Sequence, residues 1–243
     1  GVSVRRGGAS RALPGYAQGH FSVQEEGAQL VALALGAREG ERIADVCSGH
    51  GGKTTLLASQ VGARGHVTAI DLDERKLEHI APELDRLGIA RERVDTQAID
   101  VSVGTGGLGA AFDRVLVDAP CSGLGTIHRR PELLLRLGPK DPARLAELQL
   151  RILLRAAELV RPEGLLAYAV CSPTRVEAAE VASRFEAAMP RARRLLQPAT
   201  PAFAAEHAWA APDADGILRI GPWQVPPGAA GAPDGYQLVL FRM

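Results

Sequence analysis

Two cysteines stand where strand-like segments run out into loops, and a thiolate is an intrinsically strong nucleophile. Cys121 lies in DAPCSGLG, residues 118–125, and Cys171 in AYAVCSP, residues 167–173. In the first segment an acid, Asp118, and a proline precede the thiol and glycines follow it. Pro120 fixes its own backbone angle and the glycines permit tight turns, so the loop should be rigid. The third cysteine, Cys47, belongs to DVCSGHGGKTT, residues 45–55. Three is an odd and sparse count for a disulfide scaffold, and the positions lack metal-ligand spacing, so no metal is expected. Such thiols are ordinarily reduced and buried. Placement decides between that reading and chemistry.

The run from Asp45 to Thr55 follows an apolar strand and opens a helix, as ligand-binding turns do. A phosphate-cradling Walker loop needs a glycine five residues before Gly52, where Cys47 stands. A dinucleotide loop fits Gly49 and Gly51, but its third glycine is replaced by Thr54. What remains is a turn that approaches a nucleoside-type ligand without wrapping a diphosphate. Asp71, ending a second strand, can accept from ribose hydroxyls, and Asp100, after a third, can reach an adenine amine. Together they describe an adenosine pocket with no diphosphate site, and the expected cofactor is S-adenosylmethionine.

The elements that must position these residues alternate. Strands are expected at Arg42–Val46, His66–Ile70, Arg93–Ile99, Arg114–Val117, Leu165–Val170 and Gln237–Phe241, with a weaker candidate at 216–220. Helices are expected at Ser22–Leu35 (Ser22 and Glu25 forming a capping box), Thr54–Val61, Glu74–Leu87, Pro142–Val160 and Glu177–Met189. Residues 161–164 should stop the fourth helix, 198–233 should be mostly loop, and RARR at 191–194 should be a solvated helix cap. Residues 1–35 are read as a lead-in and helix packed on a catalytic domain spanning 36–243. Alternation implies an α/β, doubly wound, mostly parallel sheet, in which ligands bind at the carboxyl ends of strands. Asp45, Asp71, Asp100, Asp118 and Cys171 all fall at or near such ends. Neighbouring fourth and fifth strands would bring both thiols to one cleft.

The 46% hydrophobic and 23% charged composition excludes disordered and fibrous classes. No apolar run approaches the roughly 18 to 20 residues that span a bilayer, so no membrane is expected; the reduced thiols are read as those of a cytoplasmic protein, and a monomer is expected. The chain starts GVSVRRGG without methionine and is expected to be processed or cut from a longer protein. Its 28 lysines and arginines equal its 28 acids. That balance is unusual for a nucleic-acid binder, and a local basic face or a further basic module would have to compensate.

DAPCSGLG and AYAVCSP resemble the paired motifs of the RNA 5-methylcytosine methyltransferases, the Nol/Nop/Sun group. GHFSVQEEGAQL (19–30), DVCSGHGGKTT, AIDLDERKL (69–77), FDRVLVDAPCSGLGTIHRRPEL (112–133) and DGYQLVLFRM (234–243) agree in order. The resemblance is nearest to the bacterial 16S rRNA enzymes, which carry a further amino-terminal helical RNA-binding domain. It implies a Rossmann-like methyltransferase fold of seven strands with the last antiparallel, S-adenosylmethionine as cofactor and RNA as partner. It implies that Cys171 attacks carbon 6 of cytosine, Cys121 releases the product, Asp118 holds the base edge and Lys53 reaches the reacting base. The cofactor contacts it implies are Cys47, Ser48, Gly49, His50, Gly51, Gly52, Lys53, Asp71, Arg75, Asp100 and Asp118. Arg5, Arg6, Arg11, Arg129 and Arg130 are candidate RNA contacts. Three departures stand out. Ser48-Gly49-His50 loses the family's loop proline, Val170 replaces the threonine before the nucleophile, and Tyr236 replaces a phenylalanine. A tRNA substrate and a non-catalytic RNA-binding relative are the alternatives. A DNA cytosine methyltransferase lacks the fifth-strand cysteine.

Overall fold

The computed structural model describes residues 8–197, 199–207, 211–223 and 232–243; Arg5 and Arg6 lie outside these. The strands are β1 Arg42–Val46, β2 His66–Asp71, β3 Val94–Ala98, β4 Phe112–Asp118, β5 Val160–Val170, β6 Arg193–Arg194, β7 Ile217–Ile220 and β8 Tyr236–Arg242. The helices are α1 Glu26–Ala34, α2 Gly52–Gln60, α3 Glu74–Leu77, α4 Ile80–Leu87, α5 Leu133–Arg136, α6 Asp141–Ala156, α7 Ala179–Ala188 and α8 Pro201–Glu206. They build one sheet in the order β3-β2-β1-β4-β5-β8-β6, with β7 also paired to β8. β1 to β5 are mutually parallel and β8 runs antiparallel against β5. β6 and β7 pair with different stretches of β8, so the eight strands occupy seven positions across the sheet.

Successive strand residues face opposite sides, and each side has its own core. Val115 and Val117 of β4 and Leu166, Tyr168 and Val170 of β5 join Ile152, Leu153, Phe185 and Phe241 under α6 and α7. Leu116, Ala167 and Ala169 join Leu30, Val31, Leu35, Leu57 and Ile80 on the other side, under α1, α2 and α4. Full burial of each large apolar side chain contributes roughly 1.5–3 kcal/mol. A sheet covered on both sides leaves its carboxyl-end rim as the accessible place for a ligand.

Several sequence expectations need correction. The helix expected over 74–87 is two, because the ring of Pro82 is incompatible with the carbonyl of residue 78 in a continuous helix. The capping residue of α1 is Glu25 rather than Ser22: its side chain accepts from Ala28 N–H at 2.9 Å, while Ser22 donates to Glu83. Residues 161–164 do not serve as the stop of the fourth helix, which ends at Ala156, but belong to β5, whose register against β4 shifts between Phe112 and Arg114, with Glu163 at φ 62°. The RARR run is not a solvated cap. Arg193 and Arg194 form β6, and Arg194 pairs with Glu186 and the carbonyl of Asp215. The expected loop over 198–233 holds α8 and β7, while residues 198, 208–210 and 224–231 of it are outside the described set. The lead-in is also more ordered than its glycines suggest. Arg86 of α4 donates to the carbonyls of Tyr16 and Phe21 and lies 3.9 Å from the Tyr16 ring centre.

Candidate active site

β4 and β5 lie side by side, and the loops at their carboxyl ends bring Cys121 and Cys171 together with their sulfurs 3.2 Å apart. All three cysteines are free thiols. Cys121 keeps its proton well above the ordinary thiol range, first through its hydrogen bond to Cys171, then through burial and the neighbouring sulfur's charge. Either sulfur can donate in that contact.

The loop carrying Cys121 is held by backbone contacts that only glycine permits. Gly125 N–H donates to the Cys171 carbonyl at 3.0 Å, and Gly235 N–H donates to the Gly125 carbonyl at 2.8 Å. A Cβ on Gly125 would lie 2.0 Å from the Gly235 carbonyl oxygen, so no side chain fits. The start of β8 is thereby drawn against the thiols. Arg129 and His128 pair with the fully buried Asp234, whose N–H donates to Glu25. The guanidinium of Arg129 is thus already engaged, although it stays half exposed and can still meet an outside phosphate.

On the far side of the thiols, Lys53 Nζ lies 2.6 Å from Asp118 Oδ2 and 5.6 Å from the centre of the Tyr236 ring. Burial works against the Lys53 charge, but Asp118 and Asp45 outweigh it and hold the ammonium above its ordinary range. Helix α2 starts at Gly52, two residues before the expected position, and that earlier start puts Lys53 in its first turn. Tyr236 is buried beside Asp118 and Cys171. Burial chiefly, with those neighbours, pushes its phenol above the ordinary range, so it is a neutral hydroxyl at the site.

The turn after β1 is shaped for a ligand. Cys47 takes the left-handed conformation (φ 61°), which costs a non-glycine residue about 1 kcal/mol or more. Burial and nearby carboxylates push its thiol upward, which leaves it a poor nucleophile. Gly51, at φ 81°, caps α2, and a Cβ there would collide with Ile80. A Cβ at Gly49 meets nothing within 4 Å, so that face of the turn is open. Asp71 accepts from Gly49 N–H and from Asp73 N–H, both at 2.9 Å, which steers its carboxylate against the turn.

Two buried oxygens, Asp45 Oδ1 and Ser48 Oγ, have no hydrogen-bond partner among the described residues. Buried polar atoms are nearly always bonded, so an external group belongs there. Asp45 is fully buried; burial pushes its carboxyl up to about 7, Asp118 and Asp71 add to the rise, and Thr54 and Lys53 oppose it. Three carboxylates around an open turn with two unbonded oxygens suit a cationic ligand carrying donor groups. A ribosyl cofactor with an ammonium and a sulfonium meets that description. The residues fit it.

The structure does not gather every expected contact. Arg75 points to solvent, paired with Asp73 and 87% exposed. Asp100 is exposed and accepts from Ser102 N–H and Oγ–H in a local turn beyond β3. His50 is exposed, its ring 5.0 Å from that of His79.

Sequence reasoning missed Glu177, read there only as the first residue of a helix. Its buried carboxyl accepts from Ser122 N–H (2.8 Å), Ser122 Oγ–H (2.5 Å), Ser172 Oγ–H (2.6 Å), Thr174 Oγ–H (3.1 Å) and Gln149 Nε2–H (3.1 Å). The one available signal was an acid six residues after a cysteine whose next residue is a hydroxyl side chain.

Comparison with known proteins gives the chain its family. The family model described as 16S rRNA methyltransferase RsmB/F matches residues 32–208. The probable ribosomal RNA small subunit methyltransferase B of Bacillus subtilis is 39% identical over 170 residues, covering 70% of this chain and 38% of that protein. The crystal structure of PH0851 superposes with a TM-score of 0.84 at 26% identity, covering 98% of this chain and 50% of the other. An S-adenosylmethionine-dependent O-methyltransferase from Thermotoga maritima superposes at 0.53 with 19% identity, covering 91% of this chain and 66% of the other, and shares the fold. The chain spans 37% to 43% of the length of the curated relatives it matches.

Proposed function

The chain belongs to the 16S rRNA methyltransferase RsmB/F family, and on that premise we propose that it transfers a methyl group from S-adenosylmethionine to carbon 5 of cytosine in RNA, with 16S rRNA the first candidate. The observation that carries the proposal is the thiol pair at 3.2 Å facing the Lys53–Asp118 ion pair. Carbon 5 of cytosine is a weak nucleophile, and a sulfur bonded to carbon 6 turns the ring into an enamine that can attack an electrophile there. When bound, the cofactor supplies the methyl group on a cationic sulfur.

In this reading Cys171 forms the bond to carbon 6. It is the sulfur of the pair that lies in the field of Lys53. After methyl transfer the proton on carbon 5 leaves and the carbon–sulfur bond breaks, restoring the aromatic ring and the thiolate. Cys121 is the residue beside Cys171 placed to serve that release: once its own proton has passed to solvent, its thiolate accepts the proton from carbon 5 as the carbon–sulfur bond breaks. Asp118 has one oxygen on Lys53 and a second, Oδ1, without a partner among the described residues, free to accept from the cytosine edge. Lys53 would offset charge developing on the ring. Asp45, Ser48, Asp71 and the glycines of the turn would hold the cofactor, and its cationic groups would suit these carboxylates.

The target base must leave its stack to reach a sulfur inside the cleft, so the RNA should be single-stranded or looped there. Arg11, Arg129 and Arg130 are the candidate phosphate contacts among the described residues. No helix of the described residues is long and apolar enough to cross a membrane; three free thiols suit a reducing compartment, and the proposal takes the protein as a cytoplasmic monomer. The test is transfer of a labelled methyl group to 16S rRNA and tRNA transcripts, with the product nucleoside identified as 5-methylcytosine. Cofactor binding without transfer to either transcript overturns the proposal, and transfer to tRNA alone redirects its substrate.

A further inference from the structure

Glu177 lies just before α7, outside the cleft, and its carboxyl is bonded by the residues that follow both thiols: Ser122 after Cys121, Ser172 after Cys171. Thr174 adds a bond from the same loop as Ser172. Gln149 of α6 donates to the Glu177 carboxyl and to the carbonyl of Pro120, the residue before Cys121. Tyr168 of β5 donates from its hydroxyl to the Glu177 carbonyl and lies 3.0 Å from Gln149 Oε1. Gln237 of β8 clamps the Cys171 loop from the other side, donating to the carbonyls of Ser172 and Thr174. The carboxyl is fully buried and has no cationic partner among the described residues. Burying such a group is costly unless its hydrogen bonds are complete. Here all of its bonds come from donors, and most come from the two thiol loops.

We infer that Glu177 is a positioning residue: it ties the Cys121 and Cys171 loops to one carboxyl and so sets the distance and direction at which the two sulfurs meet. Neither sulfur touches it. A covalent step needs its groups within a few tenths of an ångström of the productive geometry, and loops reach that only when a supporting network locks them. The catalytic consequence rests on the methyl-transfer reading above. The geometric one does not.

The experiment measures the geometry directly. The folded chain is equilibrated in buffers of reduced and oxidised glutathione. There Cys121 and Cys171 lose two electrons and two protons to form a disulfide, and oxidised glutathione is reduced to two thiols. The 121–171 disulfide is read by peptide mass after alkylation, which separates it from Cys47. Glu177→Gln keeps the side chain's size but turns one acceptor into an amide NH2 that faces donors. The expected result is a fall of about tenfold or more in the equilibrium constant for the disulfide, with a smaller fall for Ser172→Ala. In methyl transfer, kcat should fall at least as far while the KM for cofactor stays within about twofold, a split that general loosening of the fold would not give.

An unchanged disulfide equilibrium in folded Glu177→Gln overturns the inference. If that variant does not fold, Ser172→Ala and Ser122→Ala carry the test, and an unchanged equilibrium in both overturns it. A wild-type chain that transfers no methyl group yet shows the variant-dependent shift supports the positioning role while sinking the catalytic reading.

Discussion

At the carboxyl ends of β1 and β2, Asp45 Oδ1 and Ser48 Oγ are buried without partners, and the turn beside Gly49 is open. At the ends of β4 and β5, Glu177 has both carboxyl oxygens bonded, and the thiols are in contact before any substrate arrives. One half of the cleft is left incomplete and the other is finished. The difference follows from what each must do. A binding turn gains affinity when the ligand itself completes its hydrogen bonds, whereas a covalent site gains rate when its geometry exists beforehand.

The largest effects should come from the finished half. Cys171→Ala should lower methyl transfer by at least about a thousandfold and form no covalent RNA adduct on a denaturing gel. Cys121→Ala should also stop turnover, but with an adduct that accumulates because release fails. Adduct in the first variant and none in the second would mean that the two roles are exchanged.

A smaller effect should separate the halves. Asp71→Ala should weaken cofactor binding by about ten- to a hundredfold in calorimetry, since a carboxylate accepting from hydroxyls is lost. The disulfide equilibrium of Cys121 and Cys171 should stay where it is. Movement of both together would break the division drawn here.

The smallest expected effect is on pH dependence. Asp45 is held at about 7 in the folded chain against 3.8 for an unhindered aspartate, so the folded state binds the extra proton between those values. Stability of the unliganded protein should therefore fall as pH rises from about 4 to about 7, with a slope of at most about 1.4 kcal/mol per unit. Asp45→Asn should flatten that slope in denaturant titrations. Binding of the cationic cofactor favours the ionised carboxylate, so its affinity should weaken as pH falls through about 7 in the wild type and not in the variant.

Much of this cleft was legible in the chain. β1 and β2 follow from apolar periodicity and glycine turns, which are local signals, while the placement of β4 beside β5 and the arrival of both cysteines at one rim follow from the usual strand order of a doubly wound sheet. The same signals misjudged the helix broken by Pro82 and the strand that continues through Glu163, where a single proline or a bulge outweighs a periodic pattern. Arg75 was expected at the cofactor site from the resemblance and Asp100 from its strand-end position; Arg75 turns to Asp73, and Asp100 stands exposed just beyond β3. Position along a motif says little about where a long or exposed side chain will turn.

The sequence by itself determined which groups could react: two thiols after strands, an acid three residues before one of them, and a glycine turn unsuited to a diphosphate. Those are properties of residue type and near-neighbour spacing. Only the tertiary structure decided that the sulfurs lie 3.2 Å apart, that Cys121 holds its proton above the ordinary thiol range, and that Asp45 keeps an oxygen unbonded. It alone showed that Glu177 gathers donors from three separate segments of the chain. Hydrogen bonds and desolvation depend on distances between residues far apart in sequence, and those distances exist only once the sheet has brought its strand ends together.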